Sequence, residues 1–123
     1  MSTLFHVRNI PAPDFSQGNH HPGVDALLGL MGDHGQKFYK TSRESRLAGP
    51  QGLIGPDDVV MLKINAQWKH RGATNVDVVR GIIQRILDHP DGFRGEVVLF
   101  ENGRGRASLN CDLCDSYYST PEV

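Results

Sequence analysis

Two short apolar runs and an amphipathic segment between them dominate the hydrophobic pattern of this sequence. The first run covers residues 59–64, is nearly continuous and contains several β-branched side chains, and residues 97–100 repeat the pattern. Runs of this kind are typical of strands that are buried on both faces, as in a parallel sheet. We therefore expect strands over about residues 58–65 and 95–101.

The segment between the two runs has helical periodicity. Its apolar positions fall on one helical face, with Ile83 at the centre: Val76, Val79, Ile83, Ile86 and Leu87. Thr74 is a suitable N-cap, and Asp77 three residues later is an acidic near-match to a capping box. The His-Pro-Asp-Gly sequence at 89–92 ends the helix. Strand, helix and strand in this order predict a βαβ unit with parallel strands.

The first 57 residues have a weaker pattern. Residues 4–10 have the composition of a short strand that stops at Pro11. A helix is expected to begin at Pro22 and to end near Gly32, because the apolar residues between them recur at i, i+3, i+4 and i+7. Residues 37–41 are a candidate strand. The Gly-Pro pairs at 49–50 and 55–56 predict a loop over residues 42–57.

These elements predict an α/β fold in a single domain of 123 residues. Residues 1–57 form a loop-rich part with one short helix, residues 58–102 form a Rossmann-like βαβ core with parallel strands, and residues 103–123 form a polar tail. The content of 14 glycines and 7 prolines predicts long loops. An open α/β sheet needs a further helix after its second strand, so the sequence leaves open whether this chain is a complete or an incomplete domain.

The overall charge is nearly balanced. The chain has 13 Lys and Arg against 14 Asp and Glu, a formal net charge of -1, which argues against a general nucleic-acid binder or a polybasic membrane binder. The sequence contains no apolar window of membrane-spanning length and no apolar region typical of a signal peptide. Two cysteines cannot form the disulfide framework of a small secreted protein. We expect a cytoplasmic protein, and the sequence leaves oligomerisation open.

The loops that follow the two predicted strands carry the candidate binding site. Ligands of open α/β sheets bind at the carboxyl ends of the strands, and the N-terminus of the following helix offers N–H groups to an anion. The side chains and glycine that we expect to bind an anionic small molecule are Asn65, Trp68, Arg71, Thr74, Asn75, Gly103 and Arg104. The alternative is that these are solvated loops whose glycines serve only as turn residues. Spacing alone favours the two interpretations about equally.

Two charged residues are candidates for acid and base chemistry. Glu101 lies just beyond a predicted buried strand, where partial burial raises the pKa of a carboxyl group. Lys63 lies inside an apolar strand. It is either a lysine at the core edge whose ammonium group reaches water, which is the favoured interpretation, or a cation that faces a ligand.

Cys111 and Cys114 have the spacing of half a zinc site or of a redox pair. A zinc site needs two further ligands, and the six histidines form no second pair at the usual interval. A redox pair should begin a helix after a strand, whereas this pair lies in the polar tail. Incidentally spaced thiols are therefore favoured over metal or redox chemistry.

Several motifs together resemble a known family. They are a strand that ends in Lys63-x-Asn65, a helix opened by Thr74, and a second strand that ends in an acidic turn from Glu101 to Gly103. Over about residues 24–110 the sequence resembles the bacterial family called domain of unknown function 362. The recurrent positions of that family match Lys63, Asn65, Thr74 and Gly103. Its members are usually longer, some carry ferredoxin-type cysteine clusters further along, and no general activity is established for them.

Two functions of different class are consistent with these observations. The first is the binding of an anionic small molecule at the carboxyl ends of the parallel strands, with the question of catalysis left open. The alternative is a non-catalytic binding or structural module that holds a metal through Cys111, Cys114 and a histidine. No cofactor is indicated by the sequence.

Overall fold

A computed structural model of the chain describes residues 1–65 and 74–101. Its α-helices are α1, Pro22–Asp33, and α2, Val76–Leu87, preceded by a 3₁₀ helix at Phe15–Gln17, and its strands are β1, Tyr39–Lys40, β2, Ala48–Gly49, β3, Val59–Lys63, and β4, Glu96–Phe100. The strands form two small parallel sheets, β1 with β2 and β3 with β4. This arrangement confirms an α/β fold. Within the described ranges, no helix has both the length and the apolar character needed to span a bilayer.

The β3, α2 and β4 elements form the strand, helix and strand that the sequence predicts. The two strands are parallel and in register from Val59 opposite Glu96 to Lys63 opposite Phe100. The Asp58 carbonyl accepts a hydrogen bond from the Glu96 N–H, and the Ile64 N–H donates to the Phe100 carbonyl, so the pairing continues past both ends of β3. The prediction of parallel strands that flank a helix is confirmed.

The hydrophobic core lies between the short β1–β2 sheet and α2. Its buried members are Phe38, Tyr39, Ala48, Ile54 and Ile86. Tyr39 pairs with Ala48 in β2 on one side and forms a parallel bridge to Ile54 on the other. The predicted 42–57 loop therefore contains a two-residue strand and a bridge, because its glycines and prolines interrupt the pairing without preventing it.

The prediction that β3 is buried on both faces is wrong. Val59 and Met61 are each 63% exposed, whereas Val60 and Leu62 pack against the core. Within residues 1–65 and 74–101, only alternate residues of β3 pack on the core, so one side of that strand is covered and the other is exposed. The continuous apolar run therefore does not mean two buried faces here.

The buried face of α2 is also rotated relative to the predicted one. Ile86 is 0% exposed, whereas Leu87 is 52% exposed and Val76 is 38% exposed. Ile83 is only half-buried, and Ile82 is the neighbour that packs on the core. Helix α1 explains the rotation, because α2 approaches it at Gly81, where an added Cβ would lie 2.4 Å from the His21 Cβ.

The N-terminal segment differs from the prediction at residues 4–10, which form no strand. Leu4 is 89% exposed, and Asn9 has a φ of 58°, which interrupts an extended chain. Helix α1 begins at Pro22 as predicted. Its N-cap is His21, whose Nδ1 accepts hydrogen bonds from the Gly23 and Val24 N–H groups at 3.0 and 3.4 Å.

Candidate functional site

An ion pair joins the carboxyl ends of the two parallel strands. Lys63 is the last residue of β3 and Glu101 follows β4, so the parallel register brings them to the same edge of the sheet. Lys63 Nζ lies 2.9 Å from Glu101 Oε1, and the side chains are 46% and 1% exposed, respectively. A carboxylate with so little exposure needs a partner, because removing its charge from water is costly.

The ammonium group of Lys63 has three neighbouring acceptors. Besides Glu101, it donates to the carbonyl oxygen of Ile64 at 2.6 Å and to Asn65 Oδ1 at 3.3 Å. Three acceptors match the three N–H bonds of an ammonium group. Lys63 is therefore a fixed cation at the rim of the sheet, and its contact with Asn65 is the longest of the three.

Asn65 and Thr74 connect this rim to the start of α2. The Asn65 N–H donates to Thr74 Oγ1 at 2.9 Å, and the Thr74 N–H donates to the Asn65 carbonyl at 2.9 Å. These two bonds hold the end of β3 beside the beginning of the helix. Lys63, Asn65, Thr74 and Glu101 therefore lie together at one edge.

The prediction that Thr74 caps α2 is wrong, because its hydroxyl group is engaged with Asn65. The N-cap is Asn75, whose Oδ1 accepts from the Asp77 and Val78 N–H groups at 2.9 and 3.3 Å. Two of the N–H groups that we expected to hold an anion are thus already bonded within the helix. Asp77, 5% exposed, also places an acidic residue in the first turn.

The remaining predicted site residues lie outside the described ranges. They are Trp68, Arg71, Gly103 and Arg104, together with the cysteine pair Cys111 and Cys114. Within residues 1–65 and 74–101, no three side chains of His, Cys, Asp or Glu are grouped so that they could hold a metal ion. The predictions for these six residues therefore stay predictions.

A second polar cluster, which the sequence pattern does not indicate, lies between the two helices. Arg85 Nε donates to Asp25 Oδ1 at 2.6 Å, and the Tyr39 hydroxyl donates to the Arg85 carbonyl at 2.6 Å. His20 lies 3.3 Å from Asp88 through Nε2 and 3.9 Å from Asp25 through Nδ1. These residues are far apart in the sequence, so no spacing rule could group them.

In this second cluster the charged groups are paired with one another, and they link α2 to α1 and β1. The hydrogen bond to Asp25 raises the pKa of Arg85, and burial raises the pKa of the Tyr39 hydroxyl. The cluster borders a cleft of about 420 Å³ that Ser45 and Arg46 also line. Arg46 is held by Asp33 through two bonds of 2.7 Å, so both arginines of the cleft already have carboxylate partners.

The strand-end edge has the stronger arrangement for binding. It combines a fixed cation, a buried carboxylate and an amide side chain at the position where α/β sheets place their ligands. Comparison with known proteins assigns nothing further, because no family model, no curated protein and no solved structure matches this chain.

Proposed function

We propose that this protein binds an anionic small molecule at the carboxyl ends of β3 and β4. The observation that carries the proposal is the pair formed by Lys63 and Glu101, in which a side chain with 1% exposure holds one with 46% exposure at 2.9 Å. An ion pair with a buried carboxylate adds little stability by itself, since well-packed apolar residues stabilise a fold as well or better. Its position at the ligand-binding edge of an α/β sheet favours a role in binding.

The contacts of Lys63 suggest how an anion would enter. Glu101 and the Ile64 carbonyl hold the ammonium group at short distances, while Asn65 Oδ1 lies at 3.3 Å. An anionic oxygen can take the place of Asn65 Oδ1, and the amide of Asn65 can then turn to donate its N–H to the same anion. Glu101 would keep the ammonium group in position and is the acid or base if a proton is transferred.

The wider assignment belongs to the same proposal. Lys63, Asn65 and Thr74, which match recurrent positions of the family called domain of unknown function 362, meet at this edge of the sheet. The proposal includes membership of that family, a Rossmann-like core and a cytoplasmic setting. Trp68, Arg71, Gly103 and Arg104 would complete the site, with the arginines adding charge-assisted hydrogen bonds to the anion.

Calorimetric titration with inorganic phosphate, a nucleotide and a dicarboxylate tests the proposal. The informative variant is the double substitution Lys63→Met with Glu101→Gln, which removes both charges and so avoids leaving either one buried alone. Lys40→Met is the matched control, because Lys40 is an exposed lysine at the end of another strand. An Arg71→Ala, Arg104→Ala double variant measures what those arginines contribute.

Binding by the wild type and the Lys40 variant, lost in the Lys63 and Glu101 double variant with unchanged circular dichroism, is the expected result. Equal affinity in the wild type and the double variant would place the ligand elsewhere. Failure of the wild type to bind any of the three probes would refute the proposed ligand class.

A further inference from the structure

The outer edge of β3 has no strand partner in the described part of the chain. The bonds of Asp58 and Ile64 to β4 fix which residues face that strand, and alternate residues of a strand direct their backbone groups to opposite sides. The backbone N–H and C=O groups of Val59, Met61 and Lys63 therefore point to the other edge. Within residues 1–65 and 74–101, these groups form no backbone hydrogen bond at that edge.

An apolar groove runs beside this free edge. It has a volume of about 520 Å³ and is lined by the core residues Phe38, Ile54 and Ile86, together with Ile82, Leu53 and most of β3. Leu53 is 74% exposed, and Val59 and Met61 are each 63% exposed. An unprotected strand edge next to exposed apolar side chains is a template for the addition of another strand.

The same chain carries an unpaired segment with strand composition. Residues 4–8, Leu-Phe-His-Val-Arg, make no backbone hydrogen bond to the rest of the described chain, and Leu4 is 89% exposed. The Phe5 ring packs edge-on against the ring of His34, the C-cap of α1, with the two ring centroids 5.6 Å apart. The segment is followed by a bend at Asn9, which has a φ of 58°, and then by Pro11.

We propose that residues 4–8 of a second copy of this chain add to the free edge of β3 as an antiparallel strand, and that the reciprocal contact forms a strand-exchanged dimer. Both strands are five residues long, so Leu4 lies opposite Lys63 and Arg8 opposite Val59. Opposite residues share a face of the sheet. Phe5 and Val7 then lie on the same face as Leu62 and Val60, over the apolar floor of the groove.

Charge selects the antiparallel direction. A parallel strand in the same register would place Arg8 opposite Lys63, and like charges directly opposite each other destabilise a sheet. The antiparallel strand instead places Arg8 beside Asp57 and Asp58, which precede β3. Asp57 is 69% exposed, so it remains accessible while it is bonded to Arg94.

Light scattering coupled to size-exclusion chromatography tests the proposal on the full chain. The wild type is expected to have the mass of two chains. Met61→Lys should have the mass of one chain, because it puts a charge in the centre of the shared edge. Leu87→Lys is the matched control, since Leu87 is an apolar residue that is 52% exposed on α2, and it should remain dimeric.

A second variant tests the other strand of the pair. His6 lies opposite Met61, where its N–H would donate to the Met61 carbonyl of the second copy, so His6→Pro should also give one chain. The segment makes no backbone bond to the part of its own protomer that the structure describes, so we expect His6→Pro to leave the fold intact, and Ser2→Pro is its control. A wild type with the mass of one chain, or a dimer that persists in both Met61→Lys and His6→Pro, would overturn the proposal.

Discussion

Truncation of Ile86 to alanine should strongly destabilise the fold. Ile86 is the residue with 0% exposure and lies among Phe38, Tyr39, Ala48 and Ile54. The change removes three carbon atoms, and the loss of their burial costs about 2.4 kcal/mol at about 0.8 kcal/mol per methylene. The cavity that remains adds to this cost, so we expect a total of about 3 to 4 kcal/mol.

Urea unfolding followed by far-ultraviolet circular dichroism measures this loss. The midpoint should fall while the slope of the unfolding free energy against urea remains unchanged. Leu87→Ala is the control on the same helix, since Leu87 is 52% exposed, and it should change the free energy by about 0.5 kcal/mol or less. Equal midpoints for the two variants would refute the location of the core at Ile86.

Substitutions at three further positions test the cap of α2 and two titrating groups. Asn75→Ala should cost about 1 kcal/mol because α2 loses its N-cap, while Asn75→Asp should retain most of the stability, as urea midpoints will show. The Arg46 hydrogen bond lowers the pKa of Asp33 from its usual 3.8. The ionised Asp33 carboxylate therefore stabilises the fold above about pH 4, and this stabilisation is lost as the pH falls through the folded pKa. Asp33→Asn should therefore weaken the acid dependence of the urea midpoint, and an unchanged dependence would contradict this. Burial raises the pKa of Tyr39 from its usual 10.0. The contribution of this group to the unfolding free energy is therefore fully present below about pH 10 and is lost as the pH rises through the folded pKa. Tyr39→Phe should reduce this alkaline loss, and the same alkaline dependence of the urea midpoint in the wild type and the variant would be evidence against it.

The βαβ unit could be predicted from the sequence because its signals are local. The two apolar runs and the helical segment each lie within a few residues of the observed elements, and the length between the runs allows a parallel crossover. The rotation of α2 could not be predicted in this way. The spacing of Ile83 and Leu87 is compatible with a buried face, and the close approach of α2 at Gly81 to His21, the N-cap of α1, has no signal in that spacing.

The candidate site was predictable to a similar extent. The rule that ligands bind at the carboxyl ends of strands identifies Lys63, Asn65 and Glu101 from the sequence. The partners of each side chain depend on distances between elements, so the exchange of roles between Thr74 and Asn75 needed the structure. The cluster of Arg85, Asp25 and Tyr39 joins residues from three elements and has no sequence signature.

Both proposals depend on β3, and Lys63 takes part in them through different groups, its side chain in one and its backbone in the other. The side chain of Lys63 contacts Glu101 at the carboxyl edge, whereas its backbone, like that of Met61, faces the free edge of the sheet. Met61 and Lys63 lie on the same face of β3, so Met61→Lys adds a second cation beside Lys63. His6→Pro instead removes the edge contact without any change in β3. If anion binding survives in His6→Pro while the dimer is lost, the two roles are independent. If both are lost, the strand of the second copy, with its Leu4 opposite Lys63, is part of the binding site.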